Sequence, residues 1–253
     1  MSAHPYGRPR ANPPTDPSEF AALCRSSPWR WSTVRFTLQW LAPDAAPVRC
    51  WIRRPDDLRV EALDGTALYA ATDLGRSRDD FYVSSRPDSW LVSPRLVTPV
   101  YLRSGLVERR PEADYGDPIF GGGRWQAVLD PVEIAGSAPQ PSYLPERAPA
   151  ALSEVTTGLD DDGRRIRRAL ARPLVGYQPV EPGHPLLPGT TRITLDEQTG
   201  ICVQAQVLDG PQAGSGHRLR IEAVDEYLLD DLFTPVSFSL TDVSEHLPWR
   251  IDG

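Results

Sequence analysis

Val34, Phe36, Leu38 and Trp40 fall on one parity of the run STVRFTLQWL, and Arg35, Thr37 and Gln39 fall on the other. This two-residue period is that of a strand with one face in a core and one in water. The same period returns in VRCWIRR, where Val48, Cys50 and Ile52 alternate with Arg49, Trp51 and Arg53, and in LRVEAL through Leu58, Val60 and Ala62. It reappears near the C-terminus with Ile193 and Leu195, with Ile201, Val203, Ala205 and Val207, and with Leu219, Ile221 and Ala223. Turn signals separate these runs: Asp64-Gly65, DEQTG at 196–200, and Leu208-Asp209-Gly210. Both ends of the chain therefore build antiparallel sheet with one apolar face, which must be covered by a second layer, by the sheet's own curvature or by a ligand.

The stretch between them is less regular. Residues 103–190 are rich in Pro and Gly and are expected to form an irregular lid or insert of strands, loops and short helical cover, including a short helix in RWQAVLDPVEIAG broken at Pro131. Asp16 or Ser18 is positioned to cap a helix through PSEFAALCRSS, with Phe20 and Leu23 as its apolar contacts. Residues 1–15 are Pro-rich and polar and are expected to be a disordered tail, leaving 16–253 as a single β domain. With 27 Pro among 253 residues, many short strands and long loops are favoured over a helical bundle.

The segment WIRRPDDLRVE, followed much later by ITLDEQTGICVQAQVLDG and AVDEYLLDDLFTP, resembles the second-strand signature and the closing strands of the LolA/LppX/RseB-like, lipoprotein-carrier superfamily. The resemblance covers a quarter to a third of the chain, in the family's order. It implies a curved antiparallel half-barrel, mainly β, with a few short helices over its concave face. In the carriers that face holds acyl chains, and the arginine of the Arg-Pro pair faces inward and hydrogen-bonds the covering helices. The matching residue is Arg54, which also shares the parity of Val48, Cys50 and Ile52. An arginine at a strand end before proline also curls readily into solvent, so the sequence is compatible with both placements.

Several chemistries find no support. The formal net charge of −7 offers no basic field for a phosphate backbone, so nucleic acid is not expected as a partner. Cys24, Cys50 and Cys202 are far apart and show no metal-ligand spacing, and are read as reduced thiols. No metal or cofactor is expected. GxSxG, HExxH, phosphate-loop and dinucleotide patterns do not occur. His184 and His217 are read as surface or packing residues in preference to catalytic ones. Asp160–Asp162 and Asp230-Asp231 are read as solvated turns, and Gly121–Arg124 as a turn in preference to an anion nest. Tryptophans such as Trp40, Trp51, Trp90 and Trp125 are core fillers or the lining of a groove.

The N-terminus lacks the apolar segment of a secretory signal, AALC at 21–24 lacks the one that precedes a lipidation site, and no stretch approaches a membrane span. A cytoplasmic location is expected, with peripheral membrane association left open. The expectation for function is a non-enzymatic scaffold holding an acyl or lipid-like ligand against Arg54, Phe36, Leu38, Trp40, Ile52, Val60, Val203 and Ile221. The alternative is a protein–protein interaction module with no ligand. An enzyme acting through His184 or His217 ranks third.

Overall fold

The computed structural model describes residues 16–42, 45–54, 57–72, 97–111, 124–141, 143–144, 147–181 and 183–234. The tail 1–15 with His4, Trp90 and Gly121–Gly123 lie outside them.

The alternating runs form strands β1 (Thr33–Trp40), β2 (Val48–Arg53) and β3 (Asp57–Ala62), followed by β4 (Ala67–Ala71). Gly65, at φ 91°, makes the β3–β4 turn, and the Asp64 carboxylate accepts from the Thr66 N–H at 2.9 Å. A small hairpin, β5 (Val100–Tyr101) and β6 (Val107–Arg109), stands apart from the main sheet. Then come β7 (Ala150–Leu159), β8 (Arg165–Pro173), β9 (Thr191–Asp196), β10 (Cys202–Val207) and β11 (Gly216–Val224). The main sheet has nine antiparallel strands in the order β4-β3-β2-β1-β11-β10-β9-β8-β7. Two meanders are thus joined edge to edge where β1 pairs with β11, placing Phe36 opposite Ile221 and Leu38 opposite Leu219. The sheet is curved and is not closed into a barrel.

Within 103–190, where a mixture of strands, loops and short helical cover is expected, two long strands, β7 and β8, extend the main sheet. Their alternation is disguised. The β7–β8 register shifts between Ser153 and Thr156, where Glu154 takes φ 53°, and a bulge of this kind breaks the parity of the strand. In β8 the inward positions opposite β9 are filled by Ala169 and Ala171, whose small side chains carry little hydrophobic signal among five arginines between 164 and 172.

Helices cover one face. Asp16 caps α1 (Pro17–Ser26) by accepting from the Ser18 N–H at 2.8 Å, and Pro17 opens the first turn with its preset φ. Phe20, Leu23 and Cys24 of α1 form a core with Ala169, Ala171, Ile193, Leu195 and Cys202. The short helix α2 (Arg124–Leu129) ends before Pro131, and a 3-10 turn, Pro131–Ile134, follows. Trp125, Val128 and Leu129 form a second core with Phe36, Leu38, Cys50, Ile52, Leu58 and Val60. Phe36 and Trp125 meet at 5.6 Å between ring centres. Complete burial of each large apolar side chain here contributes about 1.5–3 kcal/mol, so both helices are bound tightly to the sheet.

Candidate functional site

Buried arginines stitch the cover to the sheet. Arg54 is 5% exposed, and its Nη1 donates to the carbonyls of Ser27 at 2.9 Å and Trp31 at 3.1 Å, in the turn that follows α1. Ser27 in turn donates its hydroxyl to the Leu129 carbonyl at the end of α2 and accepts from the Trp31 indole. Arg54 therefore faces inward, into the junction of the two covering helices with β2. Arg25 of α1 donates to the carbonyls of Val107 and Ala135, while Arg110 donates to the Arg25 carbonyl and pairs with Asp130. A carbonyl left unpaired in such a place costs about 1–3 kcal/mol, so these contacts hold the cover in register.

With the cover in place, most of the concave face is filled by the protein itself. Phe36, Leu38, Ile52 and Val60 are fully buried, and Val203 and Ile221 are 9% and 6% exposed. They sit in the core under α2. Of the residues expected to touch a ligand, Trp40 is the one that borders open space, at the end of β1.

That space is a cavity of about 350 Å3 between the Trp40 end of the sheet, α2 and the loop over 183–188. Its floor is Trp40, Ala205, Val207 and His217; its walls are Ala127 and Val128 on one side and Pro185 and Leu186 on the other. Among the described residues, no Asp, Glu or Arg lines it. The sheet supplies the room because Ala205, on the inward parity of β10, and Gly216, at φ 142°, are small where β10 and β11 pair. A Cβ at Gly216 would stand 2.0 Å from the Ala205 carbonyl oxygen, so the strands approach this closely only with glycine there.

Glu133 fixes the outer wall. It is 4% exposed and accepts from the Tyr177 hydroxyl at 2.5 Å, the Val180 N–H at 2.8 Å and the Leu186 N–H at 2.7 Å. Tyr177 accepts in its turn from the Leu187 N–H. Burial pushes the Glu133 carboxyl above its ordinary range, against the pull of the three donors. One carboxylate thus ties the 3-10 turn after α2 to the loop that closes the cavity.

His217 is the most buried polar residue of the cavity lining, 1% exposed, with Nε2 2.8 Å from the Cys202 carbonyl and its ring edge-on to Trp40 at 5.6 Å. Burial lowers its pKa to about 4, so the ring is neutral near pH 7. His184 lines the same cavity. The three cysteines are fully buried, and burial raises the pKa of each thiol.

The remaining expectations fall elsewhere. Asp162 is part of the β7–β8 turn and forms a two-pronged pair with Arg220 at 2.7 and 2.8 Å. Asp230 accepts from Arg53 at 2.7 Å. Among the described residues, no group of three or more His, Cys, Asp or Glu is arranged to hold a metal, and no helix is long and apolar enough to cross a membrane. Sequence reasoning missed Glu133 and the loop it holds. Its one visible signal was an acid inside the apolar stretch PVEIAG. No protein family, curated protein or solved structure matches the chain.

Proposed function

We propose that this chain is a non-enzymatic binding scaffold, a lipoprotein-carrier-like half-barrel that holds one uncharged, apolar ligand of acyl or lipid-like type. The observation that carries the reading is the 350 Å3 cavity at the end of the concave face, whose lining is apolar apart from histidine and a polar rim and, among the described residues, includes no Asp, Glu or Arg. That volume is within the range of small-molecule sites. A ligand charge placed there would lose hydration with no opposite charge to replace it. The ligand lies beside Trp40 and α2 and not along the whole concave face, because Phe36, Leu38, Ile52 and Val60 are already covered.

Titration with the uncharged fluorophore N-phenyl-1-naphthylamine tests the reading. The wild-type protein is expected to bind it saturably at one site, and Ala127→Phe, which puts a ring into the cavity, to lose at least tenfold in affinity while keeping its circular dichroism spectrum. Equal affinity in both proteins refutes the placement.

A second reading, an interaction module for an acidic protein segment, is favoured by the opposite face. Arg168 and Arg172 of β8, Arg192 of β9 and Arg218 of β11 are exposed there, and no ion pair to any of them occurs among the described residues. Register places Arg168 beside Thr194, Gln204 and Arg218 in one row across the sheet. Binding of poly-L-glutamate at low salt, lost in the Arg168→Glu, Arg192→Glu double variant, is the expected result; no binding by the wild type counts against it.

A further inference from the structure

The cavity contains a more specific chemical demand than apolarity. A backbone carbonyl only accepts hydrogen bonds, so the 2.8 Å contact from His217 Nε2 to the Cys202 carbonyl requires the proton on Nε2. Nδ1 of a neutral ring is then an acceptor. The registered pairs of β10 with β11 begin at Gln204, which leaves Cys202 outside them. Among the described residues no protein group donates to Nδ1, although the side chain is 1% exposed and the residue lines the cavity. Nor is Nδ1 among the sealed side-chain atoms that lack a partner, so a little of its surface stays accessible.

Around this acceptor the inner lining is Trp40, Val128, Ala205 and Val207, none of which has an oxygen to offer from its side chain. The other side-chain oxygens at the cavity belong to Gln212 and Ser215, in the exposed loop before β11, where Ser215 already donates to the Gln212 carbonyl at 2.6 Å. The lining beside His217 is therefore largely apolar, with Nδ1 as an oriented acceptor and His184 as the cavity's second imidazole.

Building on the binding reading above, we infer that the ligand of this cavity carries an uncharged hydrogen-bond donor, a hydroxyl or amide N–H, that meets His217 Nδ1. A hydrocarbon or an ether of the same shape leaves that acceptor dry and unpaired, and sites built around a buried polar group discriminate strongly against analogues that cannot pair with it. The ligand class is an aliphatic alcohol or amide, with its apolar body against Trp40 and α2.

Calorimetric titration of the full chain with 1-octanol and with octyl methyl ether at pH 7 tests this. The alcohol is expected to bind at least tenfold more tightly than the ether. In His217→Phe, which keeps a ring against Trp40, the difference should fall below twofold with ether affinity retained. Should that variant fail to fold, histidine 15N spectra of the wild type supply the same information, because the unprotonated Nδ1 resonance shifts on adding octanol and not on adding the ether. Equal affinity for the two compounds, or an Nδ1 resonance that responds to neither while they bind, overturns the donor inference and leaves the binding reading standing. Failure of both compounds to bind overturns both.

Discussion

The guanidinium carbon of Arg54 lies 3.3 Å from the centre of the Trp31 ring. Trp31 is 4% exposed and Arg54 5%, so the stacked pair is closed off from water, and the same guanidinium donates to the Ser27 and Trp31 carbonyls. Cation–π attraction strengthens when both partners are desolvated, and the planar fork of arginine serves stacking and donation together. The pair is the point at which α1, α2 and β2 are fastened to one another.

Arg54→Leu removes two donors from buried carbonyls and is expected to destabilise the fold by about 3 kcal/mol in urea unfolding. Arg54→Lys should recover less than half of that, since a single ammonium cannot stack on Trp31 and reach both carbonyls. A loss under 0.5 kcal/mol, roughly that of a surface substitution, would show that the junction holds without the arginine.

Glu133→Ala leaves the Tyr177 hydroxyl and the Val180 and Leu186 amides without their acceptor. Hydrogen exchange at Val180 and Leu186 should accelerate at least tenfold, while amides of β1 and β11 keep their protection. Uniform acceleration across the sheet would mean that Glu133 supports the whole fold and not the cavity wall.

His217 makes stability depend on pH with a definite sign. Its pKa is 6.5 when unfolded and about 4 when buried, so the unfolded chain takes up the proton first. The stabilisation from a neutral ring is complete above pH 6.5 and declines as pH falls toward 4, by about 3 kcal/mol. Urea unfolding at pH 7 and pH 4 should show this share of the loss in the wild type and not in His217→Phe. Identical pH slopes in the two proteins would contradict it.

Cys24, Cys50 and Cys202 are sealed in the two cores, with thiols made less acidic by burial. Ellman's reagent should find no reactive thiol in the native protein at pH 8 and all three in 6 M guanidinium. Rapid labelling of any of them without denaturant would place that cysteine outside the packed core.

Strands β1 to β3 and β9 to β11 were legible because each buries large side chains on alternate positions, a pattern that needs no knowledge of the partner strand. The two covering helices were legible through Asp16 and Pro131, residues that act on local backbone. Strands β7 and β8 were hidden by the Glu154 bulge and by alanines at inward positions. The cavity was hidden for another reason. Trp40 could be assigned to the inner face, but the open space beside it depends on how α2 and the 183–188 loop approach the sheet, and the Ala127, Ala205 and Gly216 that leave room there have no hydrophobic signature. His217 was read as a surface or packing residue, and it is buried. Its single carbonyl partner, and hence its free acceptor, becomes visible only with β10 beside it.

Native mass spectrometry of protein purified without detergent, followed by extraction and analysis of whatever is released, shows whether the cavity holds a ligand. An uncharged apolar species is expected bound one to one in the wild type and absent from Ala127→Phe. A wild-type protein that shows only its own mass, and that binds neither N-phenyl-1-naphthylamine nor 1-octanol, would contradict it.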